Sequence, residues 1–339
     1  MKPSMNNRAA IPVDPAEVAV ISALYQASKP VSGTDLANRI GRSRTTVHTK
    51  IEQLKKTGFE IHASTRNGYQ LKKIPQELSL PLLHFLSCDL PKPFPIFFYT
   101  SIDSTNIEAE RLCTAGTKPP FAVIANKQSA GKGRLGRSWH SQSEQNLYCS
   151  IAFAPNTEAE KLRTFTLWAG IQICRYLQKL VPNLPLKIKW PNDLYCMGKK
   201  FSGMLTEARI DQDRMQTLIF GLGLNLNSLE SAFPEELRKT ATSLRVEAKK
   251  TFEINTLCIE IIRACLSAYE NCIEESTTES LVEAWDALDY LKGKSISLRE
   301  KETVYSAIAS GISPNGALQV KTNCGSIKSI HSADITLNK

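Results

Sequence analysis

QSAGKGRLGRSW, residues 128–139, carries three glycines at Gly131, Gly133 and Gly136 and three cations at Lys132, Arg134 and Arg137. Taken literally, the glycines spell GxGxxG. A dinucleotide-binding fold needs a strand before that run, a helix directly after it and an acidic residue about 20 positions on. Phe121-Ala122-Val123-Ile124-Ala125 can supply the strand, but residues 138–155, SWHSQSEQNLYCSIAFAP, read as a polar loop and a second strand. With no helix to follow, a doubly wound dinucleotide fold is excluded. A phosphate-binding Walker loop fails for the same reason, and Arg137-Ser138 stands where Lys-Ser/Thr is required. What survives is a cationic loop between two strands. Its glycines leave backbone amides open to an anion, so the loop should order around a phosphate or carboxylate and move when empty.

Other segments should converge on it. Ile102-Asp103-Ser104-Thr105-Asn106 groups small polar side chains beside a strand, though an ordinary helix cap before Ile107–Leu112 would explain that cluster equally well. Residues 187–195, KIKWPNDLY, end a strand in a turn bearing Lys189, Trp190, Asn192 and Asp193, and turn chemistry does not account for the lysine and tryptophan. Residues 199–205, KKFSGML, start the next strand, and residues 220–227, FGLGLNLN, put glycines inside an apolar strand. Glycine there marks close approach of another group or a ligand.

Charge separates the first segment from the rest. Residues 1–75 hold 12 Lys+Arg against 5 Asp+Glu, whereas the other 264 residues hold 30 against 28. A surplus confined to one segment points to a polyanion as its partner. Asp14-Pro15 opens a helix with Val18, Ile21, Leu24 and Tyr25 on one face. Ser32 and Asp35 form a capping box for a second helix that closes at Gly41, and Ser43 caps a third whose apolar face is Val47, Ile51 and Leu54. The period then changes to two through Phe59, Ile61 and Ala63, a turn at Asn67-Gly68, and Tyr69 and Leu71. Three helices and a hairpin are the layout of a winged helix-turn-helix. Its third helix would offer Arg44, Thr45, Thr46, His48 and Lys50 to DNA, with Arg42 just before it and Arg66 at the tip of the wing.

At 339 residues, 42% hydrophobic and 22% charged, the chain is of ordinary globular composition and long enough for two or three domains. No apolar run approaches the roughly 18 residues of a membrane span, and the first residues lack a signal peptide's apolar core. Nine scattered cysteines without CxxC pairs argue against a disulfide framework and for a cytoplasmic setting. Glu158–Leu180, Asn255–Glu274 and Glu279–Leu288 read as helices; from Lys294 onward short strands and a Pro314-Asn315-Gly316 turn suggest a small β-barrel.

The motifs STN at 104–106, GKGRLGRSW at 131–139, KWPND at 189–193, KKFSGML at 199–205 and GLGLNLN at 221–227 together resemble the biotin–protein ligases, in particular the bifunctional bacterial type that also represses the biotin operon. The resemblance covers nearly the whole chain. It implies an α+β protein with a winged helix-turn-helix over 1–75, a mixed α/β catalytic domain of the biotin/lipoate ligase type over 76–290 and an SH3-like barrel over 291–339. It implies ATP and Mg²⁺ as cofactors and biotin as substrate, with biotinyl-5′-AMP as intermediate. A lysine of the biotin carboxyl carrier protein of acetyl-CoA carboxylase would be the acceptor. Operator DNA would be the second partner, bound by a homodimer loaded with adenylate. Carried over position by position, Ser104, Thr105, Asn106, Gln128, Lys132, Gly133, Arg134 and Lys200 would contact biotin. Arg137, Trp139, Lys189, Asn192 and Asn225 would contact ATP or the adenylate. Lys200, Arg134, Lys132 and Asp193 would serve catalysis, with Asp193 also the candidate for Mg²⁺. The family usually has GRGR where this chain has Gly131-Lys132-Gly133-Arg134, and lysine keeps the charge but not the planar fork. The alternatives are a lipoate or octanoate ligase, against which the basic loop ending in Trp139 and the KWPND run argue, and a ligand-sensing regulator without catalysis.

Overall fold

The structure, a computed structural model, describes residues 10–91, 94–274, 280–300, 303–322 and 324–338. Its first part is the expected three helices and a hairpin: α1 (Pro15–Tyr25), α2 (Gly33–Ile40), α3 (Arg44–Lys56), β1 (Glu60–Ser64) and β2 (Gly68–Lys73). The caps are those the sequence predicts. Asp14 Oδ1 accepts from Ala16 N at 2.8 Å, Ser32 Oγ from Asp35 N at 3.0 Å and Ser43 Oγ from Thr46 N at 3.1 Å. Each supplies an acceptor to an amide that the helix itself leaves unpaired. Val31 exchanges two backbone bonds of 2.8 Å with Tyr69, which fastens the wing to the helices.

The buried face of α1 is turned from the expected one. Val20, Ile21, Ala23 and Leu24 are buried, while Tyr25 is 43% exposed with its ring 5.1 Å from Phe85. The reason is a fourth helix, α4 (Leu80–Leu86), which packs on α1. Leu82 of α4 belongs to the core of the first part, and Leu80 and Leu83 to the core of the remainder. Upstream of α1, Ile11 N donates to Phe98 O at 2.9 Å, so the approach to the first helix runs along the edge of the central sheet.

That central sheet has eight strands: β3 (Ile96–Ile102), β4 (Phe121–Gln128), β5 (Leu147–Phe153), β6 (Thr157–Glu158), β7 (Lys187–Lys189), β8 (Asp193–Cys196), β9 (Lys199–Asp211) and β10 (Arg214–Leu224). The order is β3-β4-β5-β10-β9-β8-β7, with β6 beside β10; β3 and β4 are parallel and the other pairs antiparallel. One face carries α5 (Thr105–Thr114) over Tyr99, Ile102, Val123 and Ile219. The other buries α6 (Phe165–Leu180) and α9 (Ile254–Glu274), with α7 (Glu235–Arg238) and α8 (Leu244–Ala248) in the connection between β10 and α9. The helix expected from Glu158 starts only at Phe165, because Glu158 is paired to Arg214 as β6 and residues 159–162 form a 3-10 turn. The expected helix at Glu279–Leu288 is α10 (Leu281–Asp286), Glu279 lying outside the described residues.

The last part is a five-stranded antiparallel sheet in the order β14-β13-β12-β11-β15, formed by β11 (Ser295–Glu300), β12 (Thr303–Ile312), β13 (Leu318–Lys321), β14 (Ile327–Ile330) and β15 (Asp334–Leu337). The final strand was not foreseen from sequence. Ile296, Leu298 and Ile335 merge with the core beneath the central sheet, so this part is packed rather than tethered. No helix of the described residues is long and apolar enough to cross a membrane.

Candidate active site

Ser104 stands at the N-cap of α5, yet its side chain caps nothing. Asp103 Oδ1 accepts from Ser104 N at 2.8 Å, and Gln128 Oε1 accepts from Thr105 N at 2.8 Å. Two amides of the helix start are thus met by neighbours, and since the Ser104 side chain makes no cap bond, the ordinary-cap explanation of the cluster gives way. Ser104 is left on the wall of a cleft with its hydroxyl uncommitted among the described residues.

The rest of that wall is a buried polar network. Gln128 Nε2 donates to Ser141 Oγ at 3.0 Å; Ser150 Oγ lies 2.8 Å from Thr105 Oγ1 and 2.6 Å from Asn106 Oδ1. Asn106 Nδ2 donates to Glu207 Oε2 at 2.7 Å. Fully paired networks of this kind hold their members in one geometry. The glycines of β10 make room for the site. A Cβ on Gly221 would collide with the Asn106 amide, and one on Gly223 with the Trp139 indole. Close approach, the sequence expectation for glycine in this strand, is what the two residues permit.

Residues 131–139 fold back over the cleft as a short hairpin. Gly133 N donates to Arg137 O at 2.6 Å, Arg137 N to Arg134 O at 3.2 Å and Trp139 N to Gly131 O at 2.8 Å. Of the three glycine amides, that of Gly133 is committed to the loop itself. The side chains add the positive charge. Lys132 Nζ is 3.5 Å from Glu207 Oε1, both half out in solvent. Arg134 is half-buried, its Nη1 3.4 Å from Asn192 Oδ1, and burial pushes its pKa down against the opposing pull of Asp193 and Asp334. Arg137 pairs with Asp334. The Trp139 Nε1 donor is buried with no partner among the described residues, a cost of about 1–3 kcal/mol unless a ligand accepts from it.

The opposite wall comes from β7, the turn after it, and β8–β9. Lys200 Nζ sits 2.7 Å from Asp193 Oδ1 and 5.2 Å from the centre of the Trp139 ring. Asn192 Nδ2 donates to Met204 O, tying the turn to β9. Lys189 Nζ donates to Ile335 O at 2.9 Å; burial pulls its pKa down, although Asp193 works against the shift. Trp190 Nε1 donates to Gly316 O at 2.9 Å. The C-terminal sheet therefore closes one side of the cleft.

Of the residues singled out in the sequence, the structure brings Ser104, Thr105, Asn106, Gln128, Lys132, Gly133, Arg134, Arg137, Trp139, Lys189, Asn192, Asp193 and Lys200 to this one cleft. Asn225 lies apart from them. It is 4% exposed, donates through Nδ2 to Thr242 O at 3.1 Å, receives Asn146 Nδ2 at 3.4 Å and stays off the cleft wall. Sequence reasoning missed Asp334 and Ile335 on the cleft wall, and Glu207, which stands off the wall as the partner of Asn106 and Lys132. Glu207 was detectable, since strand alternation puts it on the face of Gly203 and Leu205; no signal in the sequence pointed to Asp334. Among the described residues, no cluster of three or more His, Cys, Asp or Glu could hold a metal. The cleft wall has no cysteine, and burial lifts the nearby Cys196 thiol to about 11.

On the first part, Arg42, Arg44, Thr45, His48 and Arg66 are exposed along the start of α3 and the turn of the wing. Thr46 is half-buried with its hydroxyl 2.9 Å from Ser43 Oγ. Lys50 departs from expectation: its Nζ pairs with Asp14 at 2.5 Å and Glu17 at 3.7 Å, tying α3 to α1 instead of standing free toward a groove.

Comparison with known proteins gives three family matches: the biotin/lipoate A/B protein ligase family over residues 98–225, a helix-turn-helix domain over 19–70 and the biotin protein ligase C-terminal domain over 293–337. The chain is 32% identical over 307 residues to the bifunctional ligase/repressor BirA of Bacillus subtilis, covering 91% of this chain and 94% of that one. It is 28% identical over 308 residues to the protein of the same name from Escherichia coli, covering 90% and 92%. Among solved structures, the biotin protein ligase of Aquifex aeolicus in complex with biotin and ATP superimposes with a TM-score of 0.60 at 27% identity, covering 72% of this chain and 99% of that one.

Proposed function

The chain belongs to the family of bifunctional biotin ligase/repressors, and on that premise we propose that its cleft joins biotin to ATP and passes the biotinyl group to a carrier lysine. The observation that carries this reading is the convergence of five cations, Lys132, Arg134, Arg137, Lys189 and Lys200, around a cleft with one uncommitted hydroxyl at Ser104 and one orphaned donor at Trp139.

The chemistry needs those types. The biotin carboxylate attacks the α-phosphorus of ATP, pyrophosphate departs, and biotinyl-5′-AMP is left as a mixed anhydride. Two anions must meet, so fixed positive charge lowers the barrier most where water is excluded. Lys200, held between Asp193 and the indole of Trp139, sits between the Ser104–Gln128 wall and the Lys189–Asn192 turn. In this reading Ser104, Thr105, Asn106, Gln128, Lys132, Gly133 and Arg134 enclose biotin. Arg137, Trp139, Lys189 and Asn192 hold the nucleotide, and Asn225 supports β10 from behind. The amine of the carrier lysine then attacks the anhydride carbonyl, loses a proton and expels AMP. No enzyme nucleophile is required. Mg²⁺ would enter as the counterion of ATP; the carboxylates that line the cleft are Asp193, paired with Lys200, and Asp334, paired with Arg137, and they would be its neighbours there.

The acceptor is the biotin carboxyl carrier protein of acetyl-CoA carboxylase, and the winged helix lets the same protein repress biotin-synthesis genes with the adenylate as corepressor. The divisions 1–75, 76–290 and 291–339 fit the three family ranges, with α4 shared by two cores. A reducing cytoplasm suits the nine free thiols. The adenylate-loaded form pairs as a homodimer to present two winged helices. Sedimentation should show association strengthened by biotinyl-5′-AMP; a monomer at every accessible concentration would remove dimerisation from the account.

Pyrophosphate–ATP exchange by the full chain tests the ligase itself. Exchange should require biotin and be unsupported by lipoate or octanoate. Exchange supported by either acid in its place would favour the lipoyl alternative, and none with any acid would leave a sensing regulator.

A further inference from the structure

One cluster behind the cleft is not used by the chemistry above. Arg111, on the last turn of α5, clasps Asp103 with both nitrogens: Nη2 to Oδ2 at 2.5 Å and Nη1 to Oδ1 at 3.0 Å. Nη1 also reaches Glu108 Oε2 at 3.1 Å, and Glu108 Oε1 accepts from Tyr99 Oη at 2.9 Å. Tyr99 and Glu108 are 3% and 8% exposed. None of the four lines the cleft.

Asp103 is the junction of the site. Its carboxylate receives the Ser104 amide at 2.8 Å, and its carbonyl receives Ala130 N at 2.8 Å, where the loop over the cleft begins. The next residue back does the same, Ile102 O accepting from Ser129 N at 2.9 Å. One short segment therefore sets both the Ser104 turn and the root of the loop. Two carboxylates, the partly exposed Asp103 and the buried Glu108, meet there, and like charges so placed repel unless a cation lies between them. The planar guanidinium can grip one carboxylate with two parallel bonds and still reach the other, which an ammonium cannot.

We propose that Arg111 is a positioning residue for the acid substrate: by holding Asp103 under the Ser104 amide, it fixes the Ser104 turn on the acid's side of the cleft. Without the clasp, Asp103 and Glu108 lose the guanidinium that lies between them, and the Ser104 turn shifts on the cleft wall. The proposal rests on the ligase reading for the identity of the acid, not for the geometry.

The test uses the full chain and the variants Arg111→Met and Arg111→Met/Asp103→Asn. In pyrophosphate exchange, Arg111→Met should raise KM for biotin about tenfold, the size expected when one buried polar group loses its hydrogen-bond partner. KM for ATP and the limiting rate should stay within about threefold. The double variant should recover most of the biotin KM, because a neutral amide oxygen at 103 can accept from Ser104 N with no cation to hold it. An unchanged biotin KM in Arg111→Met overturns the proposal. So does a parallel loss in both substrates and in melting temperature that the second substitution fails to repair. Crystals of Arg111→Met separate this from the ligase reading: should the wild type lack biotin-dependent exchange, that reading falls alone. The positioning claim is then decided by whether Ser104 N has left Asp103 and the Ser104 turn has moved on the cleft wall. An unmoved Ser104 refutes it.

Discussion

Arg134 is the loop cation drawn furthest into the protein: half-buried beside Asn192, it keeps its charge in a place that burial disfavours. Charge stored there is pre-positioned for an anion. Arg134→Ala should lower biotin-dependent exchange by about 10²–10³-fold, the usual toll for removing one donor aimed at developing charge; Arg134→Lys should recover part of it. Lys189 makes a pH-dependent claim. Its folded pKa lies below the ordinary lysine value of 10.5, with burial the main cause. Its charge is therefore present below that folded value and fades as pH rises through it, before a free lysine would titrate. KM for ATP should climb on this alkaline limb, and Lys189→Met should flatten the limb while raising KM at neutral pH. The unfolded chain holds more protons in the same window, so this group's contribution to stability grows with pH there. These cations were legible in the sequence because their density around three glycines exceeds what a solvated loop needs. Asn225 was not: an asparagine in a glycine-rich strand looks the same whether it faces a ligand or, as here, the Thr242 carbonyl.

At the scale of elements, the caps and the change of period from helix to hairpin fixed the first part almost to the residue, since both signals are local. What failed was decided by distant partners. The face of α1 depends on α4, and the start of α6 on strand pairing between Glu158 and Arg214. The strand β15 carries Asp334 and Ile335 into the cleft from more than 130 positions beyond Lys200, which no local pattern reports. The bridging helix gives its own prediction. Leu82 is fully buried in the first core, between Leu80 and Leu83 of the second. Leu82→Ala should cost about 2–5 kcal/mol in a denaturant titration followed through the N-terminal part, with biotin-dependent exchange preserved. A loss under about 0.5 kcal/mol would mean that α4 adds nothing to the first core.

The whole molecule divides its labour by charge. Residues 1–75 carry an excess of seven positive charges, whereas the remainder is close to neutral and gathers five of its cations around the cleft. Binding of a polyanion by the first part should weaken steeply with salt, and Arg66→Ala should lower the slope of log K against log salt by about one while weakening binding to all sequences alike. An unaltered slope would take the wing off the DNA. Lys50, already paired with Asp14 and Glu17, should leave that slope unchanged when replaced by methionine. The two activities share the sheet: the cleft opens over strands whose far edge, at Phe98, receives the segment that leads into α1.

The most direct trial of the central claim is a crystal of the full chain grown with biotin and ATP. The account requires continuous ligand density from Ser104 and Gln128, past Lys200, to the indole of Trp139, with residues 131–139 folded over it. Ligand bound elsewhere, or bound here with that loop turned away and Arg134 and Lys200 out of reach, would contradict it.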